Sequence, residues 1–170
     1  MAAMLNRRTL LGGVGALALA AGLRWTMESD HASAGSTFEV VKDDSEWRRI
    51  LTRAQYDVLR LHRTEIPGSS PLNREKGKGV FACAGCDLPL FASETKFESG
   101  TGWPSFYRPL ENAVGTTEDR TLGIVRTEVH CRRCGGHLGH VFDDGPKPTG
   151  LRYCMDGYAL VFHPADPSPS

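Results

Sequence analysis

The sequence predicts a mainly β fold, or an α+β fold whose few helices gather at the N-terminal side. Nineteen glycines and ten prolines interrupt the 170 residues and favour short strands over long helices. A helical spacing of apolar residues occurs between Ser45 and Pro67, whereas the chain beyond Gly77 alternates or is broken by Gly, Pro and Asp. Two CxxC pairs lie in that β-like part, where a shared metal ion would hold separate strands together.

The balance of charge argues against a nucleic-acid-binding protein. Twenty basic and twenty acidic residues give a formal net charge of zero, so there is no basic excess to attract a phosphate backbone. No apolar run approaches the roughly 20 residues of a membrane-spanning helix. The length is that of one ordinary domain.

The first 34 residues are expected to be an export signal rather than part of the fold. Arg7-Arg8 precedes a weakly apolar, glycine-containing run over 10–23, and Ala32-Ser33-Ala34 has the small-x-small form of a cleavage site. This arrangement resembles a twin-arginine (Tat) signal and predicts cleavage after Ala34 and a periplasmic or exported protein. A permanent anchor or an amphipathic leader is the alternative. The domain would then be 35–170, with its core at about 45–163 and a loose Pro/Ser-rich tail.

Two short helices are predicted at the start of the domain. Apolar residues share one face in each segment: Trp47, Ile50 and Leu51 in the first, and Ala54, Val58 and Leu61 in the second. Thr52 and Gln55 have the spacing of a capping box, in which their side chains satisfy two backbone N–H groups at a helix start. The second helix should therefore begin at Thr52 and end before Pro67. Further along, 122–130 and 158–162 alternate in the manner of strands.

Four of the five cysteines form two CxxC pairs, Cys83 with Cys86 and Cys131 with Cys134. Two such turns let four thiolates converge on one ion, so the spacing predicts one structural zinc per chain. The roughly 44 residues between the pairs exceed the usual gap of a zinc ribbon. The ion would therefore join two parts of the domain that are distant in sequence.

Three other arrangements of these cysteines stay open. An exported protein commonly oxidises its cysteines, which would give two disulfides. A CxxC pair can also be a redox centre of thioredoxin type. Finally, Cys131 and Cys134 could form a local metal site with His137 and His140, although the gap between these histidines is shorter than usual.

The fifth cysteine, Cys154, belongs to neither pair. A lone cysteine is usually a buried structural residue. Arg152 would share its face of a strand, where the positive charge favours a thiolate, and His137 and His140 could supply a proton. These residue types together suit nucleophilic attack by sulfur. The sequence indicates no partner for the remaining histidines of the domain, which are His62, His130 and His163.

Five spaced motifs lie between Gly100 and Cys154. They are Gly100-Thr101-Gly102-Trp103-Pro104-Ser105-Phe106, Arg126-Thr127-Glu128-Val129, His137-Leu138-Gly139-His140-Val141-Phe142, Asp144-Gly145-Pro146 and Pro148-Thr149-Gly150-Leu151-Arg152-Tyr153-Cys154. With both CxxC pairs in the right order, they resemble the methionine-R-sulfoxide reductase B family. The resemblance runs from about Trp47 to Phe162.

The resemblance implies two antiparallel sheets with N-terminal helices, one structural zinc held by the four cysteines, and reduction of R-methionine sulfoxide in oxidised proteins. Cys154 would attack the sulfoxide sulfur, while protonated His140, with His137, would donate to its oxygen. Cys154 would be left as a sulfenic acid. Trp103 would wall an apolar pocket for the S-methyl group. The other residues expected on the substrate side are Phe106 and Asp156.

Two positions depart from the family pattern. Many members carry a second, resolving cysteine where this chain has Thr101, so we expect an external thiol, from a thioredoxin-like protein or another reductant, to reduce the sulfenic acid of Cys154. The family usually has Asn at the position of Asp156. An Asn amide can donate a hydrogen bond, whereas an ionised Asp only accepts hydrogen bonds and would raise the pKa of the Cys154 thiol. The alternative is that Asp156-Gly157 is a turn with no role in the chemistry.

Two other functions stay open: a zinc-ribbon module that binds a partner without catalysis, and a thiol peroxidase. The first predicts no chemistry at Cys154, and the second needs no pocket beside Trp103. The neutral charge and the lack of an aromatic–basic stripe argue against the binding module.

Overall fold

Aromatic side chains from two antiparallel sheets meet in the core. The computed structural model describes residues 38–121 and 123–166. Phe81 of one sheet lies in edge contact with Phe106 of the other, with ring centroids 5.0 Å apart, and Phe91 stacks on Phe106 at 4.3 Å. All three side chains are fully buried, so each contributes a large apolar surface to the contact between the sheets.

The described residues form two α-helices and nine strands. The elements are α1 (Asp44–Ile50), α2 (Arg53–Leu61), β1 (Gly79–Cys83), β2 (Pro89–Ala92), β3 (Lys96–Phe97), β4 (Ser105–Phe106), β5 (Val114–Asp119), β6 (Arg126–Cys131), β7 (His137–Phe142), β8 (Arg152–Met155) and β9 (Leu160–Pro164). One sheet has the strand order β2-β1-β9 and the other β3-β4-β8-β7-β6-β5, with all neighbours antiparallel. The predicted mainly β class with two antiparallel sheets and N-terminal helices is confirmed.

Side chains just before each helix fix where it starts. Asp43 caps α1 and Thr52 caps α2. The Thr52 hydroxyl accepts from the Gln55 N–H, and Gln55 Oε1 accepts from the Thr52 N–H at 2.9 Å, so the predicted capping box is present. α2 is followed by His62, whose left-handed backbone (φ 53°) turns the chain away well before Pro67.

The predicted helix faces are wrong at two residues, Ile50 and Leu61, which are 50% and 42% exposed. Each is the last residue of its helix, where the chain leaves the core. The buried apolar side chains of this segment are Trp47, Leu51, Tyr56, Val58 and Leu59.

The two predicted strands are real but start later than expected. β6 begins at Arg126, and a single 3-10 turn over Gly157–Ala159 precedes β9. β9 extends to Pro164, which pairs with Gly79 of β1, so the ordered chain continues past the predicted core boundary. The predicted signal over 1–34 and the last four residues of the tail lie outside the described residues. No helix within 38–121 and 123–166 is long and apolar enough to cross a membrane.

Candidate active site and metal centre

The two CxxC turns have the same construction and bring the two sheets together. Cys83 ends β1 in the smaller sheet, and Cys131 ends β6 in the larger one. In each turn the N–H four residues later closes back onto the first cysteine: Asp87 donates to Cys83 O at 2.8 Å, and Gly135 donates to Cys131 O at 2.9 Å. Gly135 has a φ of 67°, a conformation that glycine adopts without strain.

The four sulfur atoms of these turns form one cluster. Cys83 Sγ lies 3.7 Å from Cys134 Sγ, Cys86 Sγ lies 3.5 Å from Cys131 Sγ, and all four atoms lie within 4.8 Å of one another. Tetrahedral zinc with Zn–S bonds of about 2.3 Å would place its sulfur ligands about 3.8 Å apart, whereas a disulfide needs about 2.05 Å. All five cysteines are free thiols, so the alternative of two disulfides is wrong and the cluster fits a metal ion.

Cys154 lies on β8, opposite Ser105 of β4 and His140 of β7. It lines a cleft of about 130 Å³ in the face of the larger sheet. The other residues that line this cleft are Thr64, Trp103, Arg126, Gly139, His140, Phe142 and Asp156. The structure thus brings together four of the residues singled out from the sequence: Cys154, His140, Trp103 and Asp156.

Burial dominates the ionisation of the thiol in this cleft. It raises the pKa of Cys154, and the hydrogen bond with Thr101 Oγ1 at 3.9 Å and the charge of Arg152 lower that pKa only in part. The carboxyl of Asp156 acts in the opposite sense and raises it further. The free protein therefore favours the thiol form of Cys154.

The Arg152 guanidinium is bound mainly to Asp144 and interacts only weakly with the Cys154 thiol. Its guanidinium donates two hydrogen bonds of 2.8 Å to Asp144 and lies 4.5 Å from the ring centroid of Phe142. This bidentate pair raises the pKa of Arg152, with a smaller contribution from Cys154. The expected stabilisation of a thiolate by Arg152 is present but is outweighed by burial.

A carboxylate holds each of the two histidines on β7. His140 Nε2–H donates to Asp119 Oδ2 at 2.8 Å, and His137 Nδ1–H donates to Glu128 Oε1 at 2.6 Å. The two rings lie in edge contact, with centroids 5.4 Å apart. Because these imidazoles bond to carboxylates and the thiol cluster consists of four cysteines, the local two-thiolate, two-imidazole site is not formed.

The carboxylate beside His140 is permanently ionised near neutral pH. Hydrogen bonds from the backbone and hydroxyl of Thr121, and then from His140, hold the pKa of Asp119 well below its usual range. Asp119 can therefore orient the His140 ring through this hydrogen bond. Burial lowers the pKa of His137, and its hydrogen bond to Glu128 opposes that shift.

The segment before Pro67 fixes Trp103 and Asp156 at the cleft. Trp103 Nε1–H donates to the carbonyl of Glu65 at 3.3 Å, and the Glu65 N–H donates to Asp156 Oδ1 at 2.8 Å. Asp156 is only 4% exposed, and burial raises its pKa to about 7, although the bond from Glu65 lowers it in part. Asp156 is therefore a buried carboxyl that lines the cleft, and the predicted turn is also present, because the Ala159 N–H donates to the Asp156 carbonyl at 3.0 Å.

Comparison with known proteins agrees with this arrangement. The SelR domain model matches residues 51–164, which include every residue of the cleft and of the cysteine cluster. Two proteins named peptide methionine sulfoxide reductase MsrB, from Agrobacterium fabrum and Leifsonia xyli, are each 54% identical to this chain, over 74% and 76% of it and 94% of each relative. A third, from Pseudomonas putida, is 53% identical over 75% of this chain and 97% of the relative. The chain belongs to the SelR (MsrB) family.

Phe106 is the predicted substrate-side residue that this MsrB family member places elsewhere. Its ring is fully buried between Phe81 and Phe91 in the core. The strand that carries it pairs with β8 next to Cys154, through Tyr153. Phe106 therefore supports the cleft from the core instead of lining it.

Three residues of the MsrB site were given no role from the sequence: Asp119, Arg126 and Glu128. Arg126 lines the cleft, binds Asp119 through Nη2 at 2.5 Å, and has a buried Nε with no hydrogen-bond partner within the described part of the chain. Arg126 and Glu128 are two residues apart on β6 and so share one face, which the motif that contains them could have indicated.

The three histidines for which the sequence indicated no partner all have contacts, although His62 and His163 are also exposed to solvent. Nδ1 of His62 lies 3.0 Å from Glu128 Oε1, and Nε2 of His163 lies 2.6 Å from Asp87 Oδ1. His130 packs edge-on against Phe38. The sequence could not indicate these contacts because each joins segments far apart along the chain.

Proposed function

We propose that the protein is a peptide-methionine (R)-S-oxide reductase that acts on oxidised proteins. One observation carries this proposal: Cys154 lies in the same cleft as Trp103 and His140, with an ionised carboxylate behind the histidine. The MsrB relatives support it, because they are about half identical to this chain over nearly their whole length.

The reaction moves one oxygen atom from the substrate sulfur to Cys154. As the Cys154 sulfur attacks the sulfoxide sulfur, His140, oriented by Asp119, donates a proton to the sulfoxide oxygen and takes up the proton that the thiol loses, so no net proton is gained or lost. Methionine leaves and Cys154 becomes a sulfenic acid, so its sulfur is oxidised by two electrons while the substrate sulfur is reduced by two. Two equivalents of an external thiol, from a thioredoxin-like protein or another reductant, then restore the Cys154 thiol and release water and a disulfide.

The walls of the cleft select the epimer. Trp103 and Phe142 offer apolar surface for the S-methyl group, while His140 and Cys154 face each other on neighbouring strands. In the mirror epimer the methyl group and the oxygen exchange places, so the oxygen would meet the apolar wall instead of His140.

Three further residues predicted from the sequence have supporting roles: His137 and Arg152 act through His140 and Cys154, and Asp156 lines the cleft itself. His137 packs on His140, and Arg152 lowers the pKa of Cys154 in part while bound to Asp144. Asp156 lines the cleft as a group that ionises near neutral pH.

We also assign one zinc ion to the four-cysteine cluster. Such a site supplies structural cross-linking and no open coordination position. In this chain it would tie the end of β1 to the turn between β6 and β7, and so join the two sheets. The residues that would hold the ion are Cys83, Cys86, Cys131 and Cys134.

We further propose export through the Tat pathway, which rests on Arg7-Arg8 and on the run over 10–23 that follows it. Replacing Arg7-Arg8 by two lysines should keep the protein inside the cytoplasm. N-terminal sequencing of the exported protein should begin at Gly35; a start at Met1 in an exported protein would support the anchor instead.

The deciding experiment uses a peptide with racemic methionine sulfoxide and dithiothreitol as reductant. Chromatography should show loss of the R epimer only, and Cys154→Ser should abolish that loss. Reduction of both epimers would contradict the proposed role of the cleft walls. No reduction by a folded, zinc-loaded protein would favour the binding module.

A further inference from the structure

A second group of metal-type ligands lies beside the active-site cleft. Nδ1 of His137 and Nδ1 of His62 lie 2.6 Å and 3.0 Å from the same oxygen, Oε1 of Glu128. The three ligand atoms lie within 4.8 Å of one another, and the two imidazole rings are tilted by 31° with centroids 5.0 Å apart. Two imidazoles and one carboxylate form a set that binds zinc and leaves a fourth position open.

The group is open to solvent on one side and fixed on the other. Its ligands line a polar cleft of about 310 Å³. The side chain of His62 is 58% exposed, whereas those of Glu128 and His137 are 14% and 3% exposed. An ion can therefore enter from solvent and find two preformed ligands. The nearby cations are already neutralised, because Arg126 pairs with Asp119 and Arg120 pairs with Glu118.

The backbone brings the exposed ligand to the other two. His62 has a φ of 53°, a conformation that residues with a Cβ adopt with difficulty. This left-handed residue ends α2 and places the His62 imidazole beside Glu128. The sequence assigned His62 no role, and the proposed reductase chemistry does not use it.

A carboxylate also lies behind the buried imidazole. Metal-bound histidines usually donate their second ring N–H to such a group, which fixes the ring and strengthens the metal bond. Nε2 of His137 lies 3.8 Å from Asp156 Oδ2. A proton on Nε2 of His137 would point to that carboxyl once Nδ1 binds an ion.

We propose that His62, Glu128 and His137 bind a second divalent ion of the zinc type and that this ion inhibits the enzyme. The inhibition rests on the proposed reductase function. The ion takes the Glu128 carboxylate and Nδ1 of His137, and so replaces the hydrogen bond that positions His137 against His140. Each imidazole then carries its proton on Nε2.

Calorimetric titration with zinc chloride tests the binding without any turnover. The protein carries Cys154→Ser, which removes a competing thiol, and its four-cysteine site is filled beforehand and checked by zinc analysis. One further equivalent should bind. Adding His62→Ala should weaken that binding at least about tenfold, since loss of a supporting residue alone costs that much. Adding His163→Ala, which removes an exposed histidine paired with Asp87, should leave it unchanged.

Single turnover of the protein with Cys154 intact tests the inhibition, with no added thiol because thiol reductants bind zinc. One further equivalent of zinc should slow methionine formation at least tenfold. The same addition should leave the rate of His62→Ala unchanged. Each protein is compared with its own rate before the addition. The proposal is overturned if no further equivalent binds, if binding survives His62→Ala, or if bound zinc leaves the rate unchanged. If the protein shows no turnover even before the further equivalent of zinc is added, that result contradicts only the proposed reductase function, because the titration needs no activity.

Discussion

At the scale of single residues, the site combines a buried thiol with a histidine that a carboxylate holds in place. Burial raises the pKa of Cys154, so the proposed nucleophile has to lose its proton during the reaction. His140 lies opposite Cys154 on the neighbouring strand and is held by the ionised Asp119. In the proposed reaction, proton loss from sulfur and proton gain by the sulfoxide oxygen therefore take place within one small cleft.

Thr101 occupies the position from which a resolving thiol would act. Its Oγ1 lies 3.9 Å from Cys154 Sγ, close enough for a disulfide after a small adjustment. After one turnover without reductant, the mass of the parent protein should show one added oxygen on Cys154. Thr101→Cys should instead show the loss of two hydrogens, because the new thiol condenses with the sulfenic acid and releases water.

The matched control is Thr116→Cys, whose exposed residue lies on β5, three strands away from β8. It should retain the added oxygen. An added oxygen that also persists in Thr101→Cys would show that residue 101 cannot reach the sulfenic acid.

Asp156 makes stability depend on pH. Its folded pKa of about 7 lies above the ordinary value of 3.8, so the folded protein binds this proton more tightly than the unfolded chain does. The resulting stability is fully present below pH 3.8 and is lost as pH rises towards 7, by about 1.4 kcal/mol per pH unit. Asp156→Asn keeps an acceptor for the Glu65 N–H and removes this loss.

The advantage of Asp156→Asn in the free energy of unfolding should therefore grow by about 2–3 kcal/mol between pH 5 and pH 8. Urea denaturation at both pH values measures it. Asp143→Asn, at an exposed position, provides the control and should show no such change. An advantage that is the same at pH 5 and pH 8 would mean that Asp156 is ionised in the folded protein throughout.

Residues within continuous motifs could be predicted from the sequence, and residues that act through register could not. Cys154, Trp103 and His140 each belong to a recognisable motif, and they meet in the cleft. Glu128 gains its place opposite His140 only because β6 and β7 pair in one particular register. Asp119 likewise reaches His140 from β5, two strands away. Such contacts depend on strand pairing that one sequence does not display.

At the scale of elements, local capping was predictable but strand boundaries were not. The Thr52 capping box involves residues three apart, so its geometry follows from the sequence alone. The start of β6 depends on its partner: Arg126 pairs with Asp119 in the β5–β6 ladder and also binds its carboxylate. A strand begins where such a partner is available, which alternation of residue type cannot specify.

The pairing of β7 with β8 places His140 opposite Cys154, and Gly139 permits it. Its φ is 147°, and a Cβ there would overlap the carbonyl oxygen of Cys154 and lie 3.0 Å from Met155 Cα. Gly139→Ala should lower the free energy of unfolding by about 1–3 kcal/mol and reduce single-turnover activity, because β8 must shift. Gly123→Ala is the control, since its φ is +73° but nothing lies within 4 Å of its Cβ position.

Thermal denaturation and single turnover measure the two effects. Gly123→Ala should lose stability through its backbone conformation, by about 1–2 kcal/mol, and retain activity. Equal activity of the Gly139→Ala and Gly123→Ala proteins would show that the close approach of β7 and β8 does not position Cys154.

At the scale of the whole molecule, two contacts join the sheets: the aromatic core and the cysteine cluster. Phe81 and Phe106 make the first across the interior. The second lies at the edge, where α2 covers it. A Cβ at Gly136 would lie 2.9 Å from Leu59 Cδ2, so glycine at that turn lets the helix approach. The cysteine cluster therefore lies under the helix, whereas the active-site cleft lies on β7 and β8.

Because of this separation, zinc should support stability without taking part in the reaction. A ligand that binds only the folded state contributes about 4 kcal/mol at a concentration 1,000 times its Kd, which corresponds to a fall in Tm of about 10 °C or more on removal. Cys83→Ser should lose the ion and this stability, whereas Cys154→Ser should lose all turnover and keep one zinc per chain. Metal analysis and thermal denaturation of both variants measure this.

Since Cys83→Ser can fail to fold, the unsubstituted protein is also treated with a strong chelator, and its Tm should fall and return when zinc is restored. Full zinc content in folded Cys83→Ser, or an unchanged Tm after zinc removal, would refute a structural ion that joins the two sheets.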